Sequence, residues 1–523
     1  MSTNVKSSAT SVKPVFEKNV LYAAKGSGII AFGRLFEYFS RFIIAFFIAR
    51  LLGADQLGMY SLALSVATLV ATISIFGLDD TILRFTAIFS SRHDEAGLWG
   101  TIQFCIGLVA LLSLLSGAGV FFLAEPIAKY FFRSSQGLAP LLRFAGLLVP
   151  FLALGELLKY VTRGFKKMEY SVIAENFIQV PFRLVLIGVF SIFRLNAYLV
   201  IIAYGISDLA ASIILVYFLN KEFSLRRPLN TARYDVRDFL NYSFPLWISD
   251  MLSKFRGNLQ TLLLGSLSSV SSVGIFTVVE RIYSIGHLSY ASILTSSKPL
   301  LAELQAKEEW RQLERIYQTT TRWAVTLNLP VFLSLVLFPT QMLSILGKSY
   351  ISGALALQVL AWGELVNVGT GLCGSVIDMT GHTRLKLFNS GVQIVVSLGL
   401  NFLLIPKWGV LGAGVAAFTS IATVNVLRVA EVWILYRLLP YNIELAKPAI
   451  AGITAFATYK MLVWLIPIPE TFVYTVIQIL LVFLVFLGML WILGLSQEDH
   501  AVLASIRQKT NALLSKNRAV QKM

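Results

Sequence analysis

Apolar residues run through this chain in long blocks separated by short polar joints. Tyr60–Leu78, Leu98–Leu123 and Phe472–Leu495 are the plainest blocks. A helix of about 20 residues spans a hydrocarbon layer of about 30 Å. Backbone polar groups in lipid must be satisfied within their own segment, so such blocks are read as helices. The pattern predicts about fourteen of them, near 27–52, 57–78, 98–123, 138–160, 172–193, 197–219, 239–265, 272–299, 317–346, 353–378, 385–405, 409–437, 446–466 and 471–494. The expected fold class is an all-α integral membrane protein.

Some joints are written twice. Leu51-Leu52-Gly53 and Gly58-Met59-Tyr60 in "RLLGADQLGMYSLALS" are echoed by Leu263-Leu264-Gly265 and Gly274-Ile275-Phe276. "TRGFKKMEYSVIAEN" resembles "MTGHTRLKLFNSG", which aligns Gly164 with Gly381. The separations are 212, 216 and 217 residues, so a small insertion in one turn explains nearly all the drift. The expectation is two six-helix lobes related by pseudo-two-fold symmetry, plus two C-terminal helices. An even helix count keeps both copies in one orientation, with the axis along the membrane normal. The most polar interior break, "NKEFSLRRPLNTARYDVRD", separates them. The expected organisation is an N-terminal tail (1–26), an N-lobe (27–219), a linker (220–238), a C-lobe (239–438), helices 13 and 14 (439–494) and an amphipathic tail (495–523).

Composition agrees, with 56% hydrophobic and 14% charged residues, too little polar surface for a soluble domain. The net charge of +16 is a matter of topology. Lys6, Lys13, Lys18 and Lys25, Lys166 and Lys167, Arg226, Arg227 and Arg233, Lys307 and Arg311, and Arg507 to Lys522 all fall on one side of the expected membrane. Opposite lie Arg50, Lys129, Arg133, Arg194, Lys348 and Lys407. This asymmetry places both termini in the cytoplasm, and no nucleic-acid partner is expected. The polar first 18 or so residues show no cleavable signal pattern. Cys105 and Cys373 sit in apolar segments without metal-ligand company, and no metal or cofactor is expected. Gly412 to Ala417 fits G-x-G-x-x-A, but without a strand around it the small residues read as helix packing. A P-loop, an H-E-x-x-H motif and a Ser/His/Asp arrangement are all missing, and four histidines leave little room for catalysis. The chain is not expected to be an enzyme.

Two six-helix lobes plus two helices, "RLLGADQLGMYSLALSVATLVATISIFGLDDTILRF" and "GVLGAGVAAFTS" together resemble the polysaccharide-transport branch of the multidrug/oligosaccharidyl-lipid/polysaccharide flippase superfamily. The likeness runs from about Lys18 to Gly494. It implies flipping of a lipid-linked oligosaccharide, typically on a polyprenyl pyrophosphate, by alternating access across a bacterial or archaeal cytoplasmic membrane. Membrane lipids, and polysaccharide polymerase and export proteins, are the partners it suggests. Alternatives are a peptidoglycan-precursor flippase, a cation-coupled multidrug exporter and, more remotely, a membrane glycosyl polymerase, whose large outer loops are not evident here.

Charge inside apolar segments marks function by default. Arg34, Glu37 and Arg41 share one face of helix one at i, i+3 and i+7. Their net positive charge suits a phosphate or pyrophosphate headgroup. Helix seven, the repeat partner, carries Asp250 and Lys254 at i, i+4, with Arg256 nearby, and helix eight adds Glu280 and Arg281. Arg34, Arg41, Lys254, Arg256 and Arg281 are therefore the expected headgroup ligands, and Glu37, Asp250 and Glu364 the ion-coupling candidates. Glu364 has no basic residue within a turn. His287 reads as a satisfied interior residue. Glu156 with Lys159, and Glu431 with Arg428, read as structural pairs, and Asp79 as a cap with Arg84 in reach. Ser496 and Asp499 have capping-box spacing ahead of an interfacial tail helix.

Overall fold

A computed structural model describes residues 9–132, 137–224, 232–465, 471–494, 496 and 498–499; the side chains of residues 9–39 and of a few positions between 288 and 296, with 383, lie outside that description. The described residues are helices joined by short turns and loops, without strands. The helices are α1 (Ala9–Ile75), α2 (Leu78–Ser91), α3 (Glu95–Phe122), α4 (Leu138–Gly164), α5 (Met168–Ile192), α6 (Ala197–Glu222), α7 (Val236–Leu267), α8 (Val270–Ala306), α9 (Trp310–Leu337), α10 (Ala354–Gly369), α11 (Cys373–Met379), α12 (Thr383–Tyr436), α13 (Ala446–Leu465) and α14 (Phe472–Leu493). Shorter helical turns join some of them.

Ten helical stretches among the described residues are long and apolar enough to cross a membrane. Two of these hold two crossings each, because α1 breaks at Gly53 (φ 74°) and α12 at Gly409 (φ 52°). The long α7 and α8 carry more charge and complete the fourteen crossings predicted from sequence. Contacts between loops agree with that count. At one end of the first unit, Arg233 pairs with Asp94 at 2.8 Å and Lys167 with Glu222 at 3.7 Å. At the other end, the Ala197 N–H donates to Gln56 Oε1 at 3.1 Å and Tyr198 Oη to the Gly137 carbonyl at 3.2 Å. In each case the joined loops are an even number of crossings apart, as a bilayer requires.

The chain divides into two compact units, Met1–Val278 and Val279–Met523. In the first, the repeated glycines meet. A Cβ added to Gly58 would fall inside the Val270 carbonyl, and one added to Gly274 inside the Ala54 carbonyl. Each glycine thus rests on the residue four positions before its counterpart. Thr277 Oγ1 donates to Ser61 Oγ at 3.1 Å, and these residues are again counterparts, three positions after each glycine. The joint is a local two-fold contact that only bare backbone could make.

Two crossings depart from the expected pattern. The second breaks at Phe76 (φ 55°) and Gly77 (φ 67°), and α2 continues past the predicted boundary. Gly77 makes the break possible and also admits α7, since a Cβ there would meet the backbone of Ser243 and Trp247. The tenth crossing ends at Gly369 and restarts at Cys373 around Gly371 (φ 64°). Two buried tyrosines satisfy carbonyls at this break: Tyr317 Oη donates to Thr370 O at 3.0 Å and Tyr290 Oη to Gly371 O at 2.8 Å. Such partners are what a break in apolar surroundings demands. At the other end of the chain, α1 is already helical at Ala9, well before the predicted start of the span.

Candidate functional site

In the first unit, charged side chains from α1, α4, α5, α6 and α7 converge. Lys159 on α4 is the hub, buried to 9% side-chain exposure. Its ammonium lies 3.0 Å from Glu156, one turn earlier, and 3.5 Å from Glu175 on α5. Glu175 also accepts from Arg41 of α1 at 3.3 Å. Arg41 itself is 42% exposed. The stretch Ile173–Gln179 of α5 is a π-turn. Such turns are rare in helices and often sit at functional sites; this one carries Glu175, Asn176 and Gln179. Gln179 donates to Asp208 of α6 at 2.5 Å. Asp208 approaches α4 where Gly155 lacks a side chain, since a Cβ there would stand 3.1 Å from Asp208 Oδ2. Buried Arg183 donates to Ser207 at 3.0 Å and stacks over Tyr204 at 3.7 Å. Lys254 of α7 is exposed and near enough to Glu156 for their charges to interact, as Asp250 is to Asp80.

In the second unit, buried Glu364 on α10 gathers three donors. Tyr283 Oη donates at 2.8 Å, Asn367 Nδ2 at 3.4 Å, and His287 Nδ1 lies 3.2 Å away. The network continues through Asn425 Nδ2 to Asn367 Oδ1 at 2.9 Å, and Arg428 Nη1 to Asn425 Oδ1 at 3.4 Å. The carboxylate therefore sits one to two turns before the break at Gly371, the kind of discontinuity at which membrane transporters place polar sites.

A family model described as polysaccharide biosynthesis protein matches residues 23–305, more than half of the chain. The chain belongs to that family. It is a multi-pass membrane protein of the polysaccharide-transport branch of the multidrug/oligosaccharidyl-lipid/polysaccharide flippase superfamily. The superfamily's MatE model matches residues 245–403. Among similar proteins is the probable low-salt glycan biosynthesis flippase Agl15 of Haloferax volcanii, 23% identical over 73% of this chain and 77% of its own length. Stage V sporulation protein B of Bacillus subtilis is 22% identical over 82% of this chain and 86% of its own. Among solved structures, the Lipid II flippase MurJ in an inward closed conformation superposes with a TM-score of 0.69 at 13% identity, over 89% of this chain and 98% of that one.

For this flippase-family chain, the expected site residues separate by unit. Arg41 joins the first cluster through Glu175, Lys254 acts on Glu156 through charge, and Asp250 acts on Asp79 and Asp80, outside the Lys159 network. Arg256 is exposed on α7 close by. Arg34 and Glu37 lie on α1, with side chains outside the described residues. Arg281 is exposed and Glu364 buried, both in the second unit. The Glu156–Lys159 pair stands as expected. Three other expectations are corrected. Asp79 does not cap α2: Gly77 holds that position, and Arg84 stacks over Tyr242 at 4.4 Å instead of pairing with it. Glu431 accepts from Asn389 at 2.7 Å, while Arg428 turns to Asn425, so those two do not pair. His287, expected in the interior, is half-exposed at its side chain, and it gives Glu364 a basic neighbour from another helix. Arg183 was not among the expected residues, although it stands in the sequence as a lone cation in "QVPFRLVLIG". Lys159 reads in sequence as half of a simple pair, because Glu175 and Arg41 join it only in space.

Proposed function

We propose that this chain flips a lipid-linked oligosaccharide, carried on a polyprenyl pyrophosphate, across the cytoplasmic membrane by alternating access, for surface polysaccharide assembly. The observation that carries this reading is an exposed cation inside an apolar helix, Arg41, anchored through Glu175 to the buried Lys159 and its partner Glu156. A guanidinium pairs bidentately with phosphate oxygens, and the carboxylate beneath it fixes its direction. Lys254, and in this reading Arg34 and Arg256, add positive potential for the headgroup in the first unit, and Arg281 is a candidate ligand in the second. The polyprenyl tail remains in lipid, so the protein handles only the charged and sugar portions. Basic groups here disfavour the cationic substrate of a multidrug exporter.

Glu364 is the proposed coupling group in the second unit. A carboxylate held by a phenol, an imidazole and an amide can exchange a proton while staying hydrogen-bonded in either state. Glu37 and Asp250 are the secondary candidates. The basic-residue asymmetry supports cytoplasmic termini, and polymerase and export proteins are the proposed downstream partners.

The test is transfer of a fluorescent polyprenyl-pyrophosphate glycan to the far leaflet of reconstituted vesicles. The Arg34→Ala/Arg41→Ala/Lys254→Ala variant should lose transfer while remaining folded. Full transfer by that variant would remove these residues from the mechanism. Transfer of a peptidoglycan precursor in preference to the glycan would select the alternative substrate. Glu364→Gln should abolish dependence on a pH gradient without abolishing headgroup binding.

A further inference from the structure

A further cluster of charge lies in the second unit, where the chain's last described residues return. Arg322 of α9 is 5% exposed at its side chain. Its Nη2 donates to Asp499 Oδ1 at 2.8 Å and lies 3.8 Å from Glu498, and its Nη1 reaches Glu444 at 3.5 Å. Its Nε is buried without a hydrogen-bond partner. Trp323 Nε1 donates to the same Asp499 oxygen at 2.7 Å. Arg315, two turns earlier, grips Glu498 Oε1 with Nε at 3.1 Å and Nη2 at 2.8 Å. Lys447 pairs with Glu444 at 2.6 Å. Ser496 and Asp499 hold the acidic turn in shape through reciprocal bonds of 3.1 and 3.3 Å.

We propose that Arg315, Arg322 and Trp323 form a site for a phosphate dianion, and that the Glu498–Asp499 pair is its resident internal ligand. The charges fit this reading. Arg315, Arg322 and Lys447 bring three positive charges against one negative from Glu444, and the acidic pair supplies the remaining two. Guanidinium forks and an indole N–H form a donor set that phosphate oxygens match. With the pair withdrawn, a buried arginine would keep one distant carboxylate, an uncompensated charge that recruits an outside anion. The occupant is a phosphate dianion, either free or as the monoester headgroup of an anionic lipid.

The experiment uses the full chain and the charge-neutral variant Glu498→Gln/Asp499→Asn, which preserves shape. Thermal unfolding is followed in detergent with inorganic phosphate against matched chloride, and in nanodiscs with phosphatidic acid against phosphatidylcholine. The variant should melt lower than the parent and regain stability with phosphate, binding it about tenfold more tightly than the parent, a difference of about 1.4 kcal/mol. Adding Arg322→Gln should remove that response. Recovery in detergent identifies free phosphate as sufficient, and recovery only in nanodiscs identifies the lipid headgroup. A variant that neither anion restores overturns the proposal and leaves a simple staple between α9 and the residues after α14. Should the double variant not accumulate, Glu498→Gln alone must show a stronger phosphate response than the parent, and its failure to do so overturns the proposal equally.

Discussion

Lys159 sets the energetics of the first cluster. Removing one member of a fully buried ion pair costs about 3–5 kcal/mol; here Lys159 is buried but Glu156 and Glu175 are partly exposed, so the loss falls below that range. Lys159→Ala should therefore lower the unfolding midpoint in detergent. Lys159→Met combined with Glu156→Gln should cost much less, because Glu175 keeps Arg41. Equal losses for the two variants would contradict the shared network. At Gly371, alanine must adopt φ 64° and also displace the Thr321 hydroxyl. Gly371→Ala should destabilise by at least about 1 kcal/mol. Tyr290→Phe leaves the Gly371 carbonyl unpaired and should cost about 1–3 kcal/mol, read by the same melting experiment.

Among elements, the seam between α1 and α8 is the tightest point. Gly58→Leu or Gly274→Leu must push a side chain into a carbonyl of the opposite helix. Overpacking costs about 1–3 kcal/mol even where side chains can yield, and backbone yields less. Both variants should reduce folded yield by size-exclusion chromatography, whereas the neighbouring exposed Leu51→Ala should not. That the two copies touch here could not be read from sequence, but the repeat itself was legible, because each glycine sits in an apolar run near an aromatic and recurs at nearly one spacing. So were the fourteen crossings, since hydrophobic blocks announce membrane helices directly. The breaks at Gly77 and Gly371 were not. Apolar residues continue through both, and the groups that support them come from distant helices: Ser243 and Trp247 for one, Tyr290 and Tyr317 for the other. The same distance hid His287 from Glu364, 77 residues away. Candidate cations could be named from their depth in apolar segments, but their partners could not.

For the molecule as a whole, the polar ends of the helices respond to acid. The Arg315 guanidinium holds the Glu498 carboxyl down at about 2, and the Gly97 N–H, with Arg233 beside it, holds Asp94 below the usual carboxylate range. A lowered carboxyl contributes stability above its ordinary value near 4.5 that is lost as pH falls toward the folded value. The melting midpoint should thus hold from pH 7 to about 5 and fall below about 4. Glu498→Gln should flatten that fall, and an unchanged slope would detach Glu498 from it.

The meeting of Gly58 with Val270 and of Gly274 with Ala54 has a consequence for descent. Each copy offers the other the same notch and takes the same ledge in return, the arrangement expected when two identical chains pair about a two-fold axis. A single-copy forerunner of six helices could have met its twin at this spot, and fusion of the two genes would then have preserved the handshake within one polypeptide.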